Sequence, residues 1–386
     1  MLIGIVGAPN KGKSTLFSAL TLHMVETADY PFTTINPNEG TGYVKTHNLA
    51  KDLNLVAKPK HDIISGEYRF IPIRLLDVAG LVPGAHEGRG LGNQFLNDLI
   101  PADALIQVVD ASGETDLEGK KNSINPIEEV KFLEEELDYW VAGIIKRNWD
   151  KVRFKDIKSL FAILSGLKIF ENDIEKIANT LNLDKKRIDW EEDEIFSFAK
   201  GVRKLSKPII IAANKCDMPS ARKNIENLKK LDYAVIPVSS ISELTLKKAS
   251  QAKLIEYVPG SKNFDVLKEL SNEQKNGLNY IQHNVLDVYG STGAQELLNK
   301  TVFDILNMIV VYPVEDEHKY SDSQGNVLPE TKLVPQGATP YELAGLIHTD
   351  IQEGYKTAFD ARKKIMIGGE NKLENNSIIK IVFNKK

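Results

Sequence analysis

Gly7-Ala8-Pro9-Asn10-Lys11-Gly12-Lys13-Ser14 spaces two glycines, a lysine and a hydroxyl as a phosphate-binding loop does. The glycines let the backbone curl until its N–H groups face an anion at a helix N-terminus. Lys13 adds a point charge for β- and γ-phosphates, and the Ser14 hydroxyl suits Mg²⁺. The loop follows the apolar run Leu2 to Val6 and precedes the helix-compatible run Thr15 to Leu22, which is the context this chemistry requires. Asn10, Lys11, Gly12 and Thr15 are counted with Gly7, Lys13 and Ser14 as phosphate-side residues.

Asp77-Val78-Ala79-Gly80 closes a second apolar run. An aspartate there holds Mg²⁺ through water, and the Gly80 N–H senses a γ-phosphate, so Lys13 and Gly80 are assigned to catalysis. Asn214-Lys215-Cys216-Asp217 follows the run Pro208 to Ala213, at the sheet edge where open α/β folds bind ligands. A carboxylate at that edge accepts two hydrogen bonds from guanine N1 and N2 but faces an acceptor in adenine. Leaving such a group unpaired costs about 1–3 kcal/mol, so Asp217 argues for GTP. Ser239 and Ser240, after the next strand candidate, are expected to complete the base pocket with backbone and hydroxyl groups. Motifs in this order read as a P-loop GTPase of the translation-factor type, with GTP and GDP as ligands.

Two further segments narrow the reading. Tyr30-Pro31-Phe32-Thr33-Thr34-Ile35-Asn36-Pro37-Asn38 and Gly80-Leu81-Val82-Pro83-Gly84-Ala85-His86-Glu87-Gly88-Arg89-Gly90-Leu91-Gly92-Asn93 resemble the two nucleotide-sensing switches of the Obg family. Over essentially its whole length the chain resembles the YchF subfamily in its archaeal-type form. The resemblance implies a C-terminal TGS domain, association with the ribosome or ribosomal RNA, and a role in regulating translation or stress. It makes Thr34, with Thr33 in reserve, the switch ligand of Mg²⁺ and the γ-phosphate. It also implies that Asn10 ligates a K⁺ ion, the alternative being that its amide merely stabilises the loop. Bacterial and eukaryotic members carry a degenerate fourth motif and prefer ATP, whereas Asn214 to Asp217 is intact here. ATP preference, or a nucleotide-gated RNA or protein adaptor with incidental hydrolysis, are the rival readings. Leu81 stands where Ras-like enzymes place the water-orienting glutamine, so slow intrinsic hydrolysis is expected. His86 and Arg89 are expected to be exposed switch residues that meet a partner or solvent.

These residues need a scaffold. Short apolar runs at Leu2 to Val6, Ile71 to Leu76, Ala104 to Val109, Pro208 to Ala213 and Ala234 to Val238 alternate with helical segments, which predicts an α/β fold around a mostly parallel sheet. Tyr43 to Lys45 and Tyr68 to Ile73 would pair as an antiparallel edge and make the sheet mixed. From about Pro126 to Lys204 the pattern becomes charged and helical, with Val130, Leu133, Leu137, Val141 and Ile144 forming one apolar stripe. The expected organisation is a nucleotide-binding domain over 1–112 and 205–300, a coiled-coil-like helical insertion over 113–204, and a β-grasp-like α+β module over 301–386. In that module Ile305 to Val311 and Ile378 to Phe383 read as strands, and Thr339 to Asp350 as a helix opened by Thr339 and Pro340. The basic run Lys146 to Lys158 would fall at the tip of the insertion, as a solvated turn or as an RNA contact. Arg362-Lys363-Lys364 poses the same choice.

Composition bounds the rest. With 49 basic against 53 acidic residues, a net charge of −4, 42% hydrophobic and 26% charged residues, this is ordinary globular protein of two or three domains. No global charge draws it to nucleic acid, and DNA is not an expected partner. A single cysteine, Cys216, excludes an intrachain disulfide and a multi-cysteine metal site, and it reads as a small core residue. No apolar run approaches the roughly 18 residues of a membrane helix, so no membrane association and a cytoplasmic setting are expected.

Overall fold

The computed structural model describes residues 1–22, 38–87 and 97–384. They form two compact units, one of residues 1–22, 38–42, 74–87 and 97–297, the other of 43–73 and 298–384. The insertion thus falls in the same unit as most of the main sheet, while residues 43–73 join the C-terminal segment.

Strands β1 (Leu2–Val6), β2 (Glu39–His47), β3 (Ile63–Ser65), β4 (Tyr68–Asp77), β5 (Ala104–Asp110), β6 (Ile209–Asn214) and β7 (Val235–Val238) form one sheet in the order β2-β4-β1-β5-β6-β7, with β3 beside β4. β1 is parallel to β4 and β5, and β5, β6 and β7 are mutually parallel, whereas β3 is antiparallel to β4. The sheet is therefore mixed, as the sequence predicts. Every residue of β1, β5 and β6 is buried, which explains their mostly apolar content, with Gln107 the polar residue inside β5. A short ribbon, β8 (Ile255–Glu256) and β9 (Asp265–Val266), lies apart from the sheet path.

The insertion is built on helix Pro126–Arg147. Asn125 caps it by accepting from the Ile127 N–H, Pro126 sits in its first turn, acids open it and Lys146 and Arg147 close it. Val130, Leu133, Leu137 and Val141 are buried and Ile144 partly so, the stripe expected from the pattern. The helix packs against helix Glu192–Ser206, and Arg203 seals the pair from a buried position by donating to Asp138 and Glu134.

In the other unit, β10 (Met308–Val314), β11 (Lys332–Pro335), β12 (Tyr355–Asp360), β13 (Ile365–Ile367) and β14 (Ser377–Phe383) form a sheet in the order β11-β10-β14-β12-β13. β10 and β14 are parallel and the other pairs antiparallel. Two expectations are corrected. β10 starts at Met308 rather than Ile305, because Lys300–Ile305 continues the preceding helix as wide turns and Asn307 turns the chain at φ 49°. The helix opened by the Thr339 capping box ends at Ile347, because His348 is extended and caps a second helix, Thr349–Glu353, through Nδ1. Residues 43–73 join this unit through Lys58 N–H to Val327 O, Lys60 N–H to Pro329 O, and a buried Arg69–Asp62 pair to which the Thr331 hydroxyl also donates.

Candidate nucleotide-binding site

β1 delivers the chain to Gly7, whose φ of 144° and approach to Val108 O, 2.5 Å from where a Cβ would stand, admit only glycine. Gly12 (φ 93°) opens helix Lys13–Thr21, and a Cβ on it would collide with Asn214 Nδ2. Among the described residues no side chain caps that helix, and no acid lies in its first turn, which leaves its N-terminal N–H groups to an anion. Lys13 is buried and donates to Ala8 O at 2.8 Å. Burial pulls its pKa down to about 8, against the opposing pull of Asp77.

Asp77 ends β4, its N–H donating to Asn38 O. Burial raises its pKa, opposed by a hydrogen bond from Ser14 and by the charge of Lys13. Among the described residues, its Oδ1 is buried without a hydrogen-bond partner. A buried carboxylate oxygen left open beside a serine hydroxyl suits a hard, oxygen-seeking cation such as Mg²⁺. Gly80 runs so close to Pro9 that a Cβ would stand 3.0–3.2 Å from it, so the two phosphate-side loops are in direct contact. Leu81 donates its N–H to Gly7 O, and its side chain, 1% exposed, packs with Val78 and Leu133 in the core. It is structural filling rather than a group facing the site.

The third motif is tied to the first. Asn214 donates from Nδ2 to Lys11 O at 2.8 Å, and its Oδ1 accepts from the N–H and hydroxyl of Ser240. Asp217 Oδ1 accepts from the Ser239 hydroxyl at 2.8 Å. Both serine hydroxyls therefore orient Asn214 and Asp217, the side chains of the expected base pocket. Lys215, at φ 61°, reaches Asp110 Oδ2 at 2.7 Å. Burial of Asp110 works to raise its pKa, but hydrogen bonds from Lys215, Ser112 and Thr115 outweigh it and hold the carboxyl low. Cys216 is buried and its thiol pKa is pushed up by that burial, the state of an inert core residue.

Several partners in this assembly escape sequence reasoning. The Lys11 ammonium is fully buried and donates to Thr115 O, Thr115 Oγ1 and Glu129 Oε1 at 2.7–2.8 Å, leaving its backbone as the part open to a phosphate. Glu129, in the first turn of the insertion helix, also accepts from the Asp110 N–H, and burial lifts its pKa to about 7 despite Lys11. Asn10 donates to Gly119 O, so the segment after β5 lies on the loop. Two helical turns beyond Glu129, Glu136 accepts from the N–H groups of Gly84 and His86 and pairs with His86 Nδ1 at 2.7 Å. The His86 ring stacks on Tyr139, 4.6 Å between centroids. Contrary to expectation, His86 is thus held by the insertion rather than standing exposed to a partner or solvent. The one available signal was two glutamates seven residues apart, each preceding a stripe position, Val130 and Leu137. Thr33, Thr34, Arg89 and the glycines at 88, 90 and 92 lie outside the described residues. Within them, no group of three or more His, Cys, Asp or Glu side chains is gathered as a metal site.

A glycine-rich loop with open N–H groups beyond a buried parallel strand, an Asp–Gly turn touching it, and an Asn–Asp pair locked to its back define a P-loop GTPase fold. The comparisons carry this further. A family model described as 50S ribosome-binding GTPase matches residues 2–147, and one described as Obg-like GTPase YGR210-like, G4 motif-containing domain, matches 212–316. An uncharacterised GTP-binding protein of Methanocaldococcus jannaschii is 48% identical over 99% of this chain and 98% of its own. The ribosome-binding ATPase YchF of Mycoplasma genitalium is 34% identical over 65% of this chain and 67% of its own. The crystal structure of a GTP-binding protein from Pyrococcus horikoshii matches with a TM-score of 0.80 at 37% identity, covering 100% of both chains. The chain belongs to the YchF group of Obg-like GTPases.

Proposed function

We propose that this protein is a Mg²⁺-dependent, GTP-selective hydrolase that cycles as a cytoplasmic switch in contact with the ribosome. The observation that carries the base preference is Asp217, whose carboxylate is oriented by Ser239 beside an Asn214 tied to the phosphate loop. A carboxylate fixed in this way suits the two donors of guanine and opposes the acceptor of adenine.

Ser14, Asp77 and Thr34 are the residues that would hold Mg²⁺, which supplies positive charge against the phosphates when bound. Lys13 exchanges Ala8 O for phosphate oxygens, regaining the stabilising partner that burial denies it. Gly80, packed against Pro9, donates its N–H toward the γ-phosphate. Leu81 cannot position water, so basal turnover is slow. Asn10 uses its amide N–H₂ on Gly119 O, which leaves its carbonyl oxygen for K⁺, and faster hydrolysis in KCl than in NaCl is the expected sign. Ribosome contact rests on the matching family model and on the name of the Mycoplasma relative.

Competition of GTP and ATP for a fluorescent guanine nucleotide tests the reading. GTP is expected to win by about 10- to 100-fold, one unpaired polar contact's worth, and Asp217→Asn to erase the margin. Equal competition would instead favour the ATP chemistry for which some relatives are named. Co-sedimentation with ribosomes in the GDP and non-hydrolysable GTP states tests the switch, with binding in one state only as the expected result.

A further inference from the structure

The far end of the insertion carries a surface that the nucleotide chemistry does not use. We infer that it is a single-stranded RNA contact, in which Phe154 stacks on an unpaired base while lysines and arginines of two adjacent segments hold the flanking phosphates. This deepens the ribosome reading above and rests on it for the identity of the RNA.

Three backbone hydrogen bonds tie the segments side by side: Phe154 N–H to Ile188 O, Ile188 N–H to Lys155 O, and Ile157 N–H to Lys185 O. They bring Arg153, Lys155 and Lys158 together with Lys185, Lys186 and Arg187, all exposed. Three acids lie among these six cations, each with a hydrogen-bond or ion-pair partner. Asp156 accepts from the Lys158 N–H, Asp184 from the N–H groups of Lys186 and Arg187, and Asp189 pairs with Arg153. A basic surface on a chain of net charge −4 is a local device, the footprint expected for phosphate contacts.

Phe154 sets the partner's chemistry. It is 51% exposed and adopts φ 63°, a conformation costly for an aromatic residue. The guanidinium carbons of Arg153 and Arg187 lie 4.5 and 4.6 Å from its ring centroid. The two guanidinium groups lie over the half-exposed ring, so an unpaired base joins this stack by taking the place of one arginine, which then meets a flanking phosphate, whereas an acidic peptide would need the cations alone. The other basic trio is less open. Lys363 pairs with Glu374, and Arg362 donates to Asn376 O.

The test uses the full chain with GDP and a fluorescent ten-nucleotide oligouridine, titrated at several salt concentrations. Lys155→Ala/Lys158→Ala/Lys185→Ala/Lys186→Ala is expected to weaken binding at least ~10-fold and to flatten the salt slope by about 3. Phe154→Ala should weaken RNA binding several-fold while leaving binding of a polyglutamate peptide unchanged. GTP hydrolysis serves as the folding control and should hold in both variants. Unchanged RNA affinity in the quadruple variant overturns the proposal, as does an equal response of RNA and polyglutamate to Phe154→Ala. Ribosome sedimentation separates the two readings. Wild type and quadruple variant binding ribosomes alike overturns the patch and leaves the ribosome reading. Oligouridine binding lost in the variant, with no ribosome binding by wild type, supports the patch and overturns that reading.

Discussion

The two ends of the insertion helix Pro126–Arg147 are made of opposite materials. Along its first half, Glu129 and Glu136 are buried carboxylates committed to the phosphate loop and to Gly84–His86. At its finish, roughly 27 Å along the axis from Glu129, the cations of Lys146 and the following segment stand in water. Buried charges demand fixed partners and so fix geometry; solvated charges keep their freedom and so suit a partner that arrives from outside. One helix thus joins a positioning end to the end where the RNA contact is proposed.

The comparison can be broken most forcefully at Glu129. Glu129→Ala leaves the Lys11 ammonium buried without its carboxylate and should cost about 3–5 kcal/mol in urea unfolding. A loss below about 1 kcal/mol would mean that the positioning end is no firmer than a surface pair. Glu136→Ala comes next. It frees two backbone N–H groups and His86, and should slow single-turnover GTP hydrolysis about tenfold with GDP affinity unchanged. A parallel loss of GDP affinity would show that Glu136 holds the whole site rather than the switch segment.

A subtler contrast lies in pH. The Glu129 carboxyl titrates at about 7 in the folded protein against an ordinary 4.5, so the unfolded chain gives up its proton first. Between those values the native state binds more protons, and stability from this group falls as pH rises, levelling off above about 7. Melting temperatures from pH 5 to 8 should show that decline in wild type and a flatter profile in Glu129→Gln. The smallest effect belongs to the outer end. Lys146→Ala breaks an exposed pair with Glu192 and should change stability by about 0.5 kcal/mol or less in the same urea assay.

What could be read from sequence follows from where each interaction lies along the chain. Residues 7–14, 77–80 and 214–217 carry contiguous motifs whose chemistry is local, and the structure sets them about one sheet edge. Lys11 finds Glu129 at a separation of 118 residues, Lys215 finds Asp110 at 105, and Glu136 finds His86 at 50. No periodicity links such partners, since tertiary packing alone selects them. The strand runs were visible because burial on both faces demands continuous apolar residues. The late start of β10 and the break at His348 were not, because Asn307 and His348 act through backbone conformation.

The pairing of β5 with β6 has a consequence for how the chain folds. Residues 111–208 lie between them, and a flexible connection of that length carries a closure cost that rises logarithmically with length. The insertion shortens the effective loop, because helices Pro126–Arg147 and Glu192–Ser206 lie antiparallel, Lys146 meeting Glu192 at one end and Asp138 meeting Arg203 at the other. Once that hairpin has formed, the chain ends that lead into β5 and β6 are brought closer together. The hairpin is therefore expected to form before β5 pairs with β6, and φ-values higher in the hairpin than in the sheet would check that order.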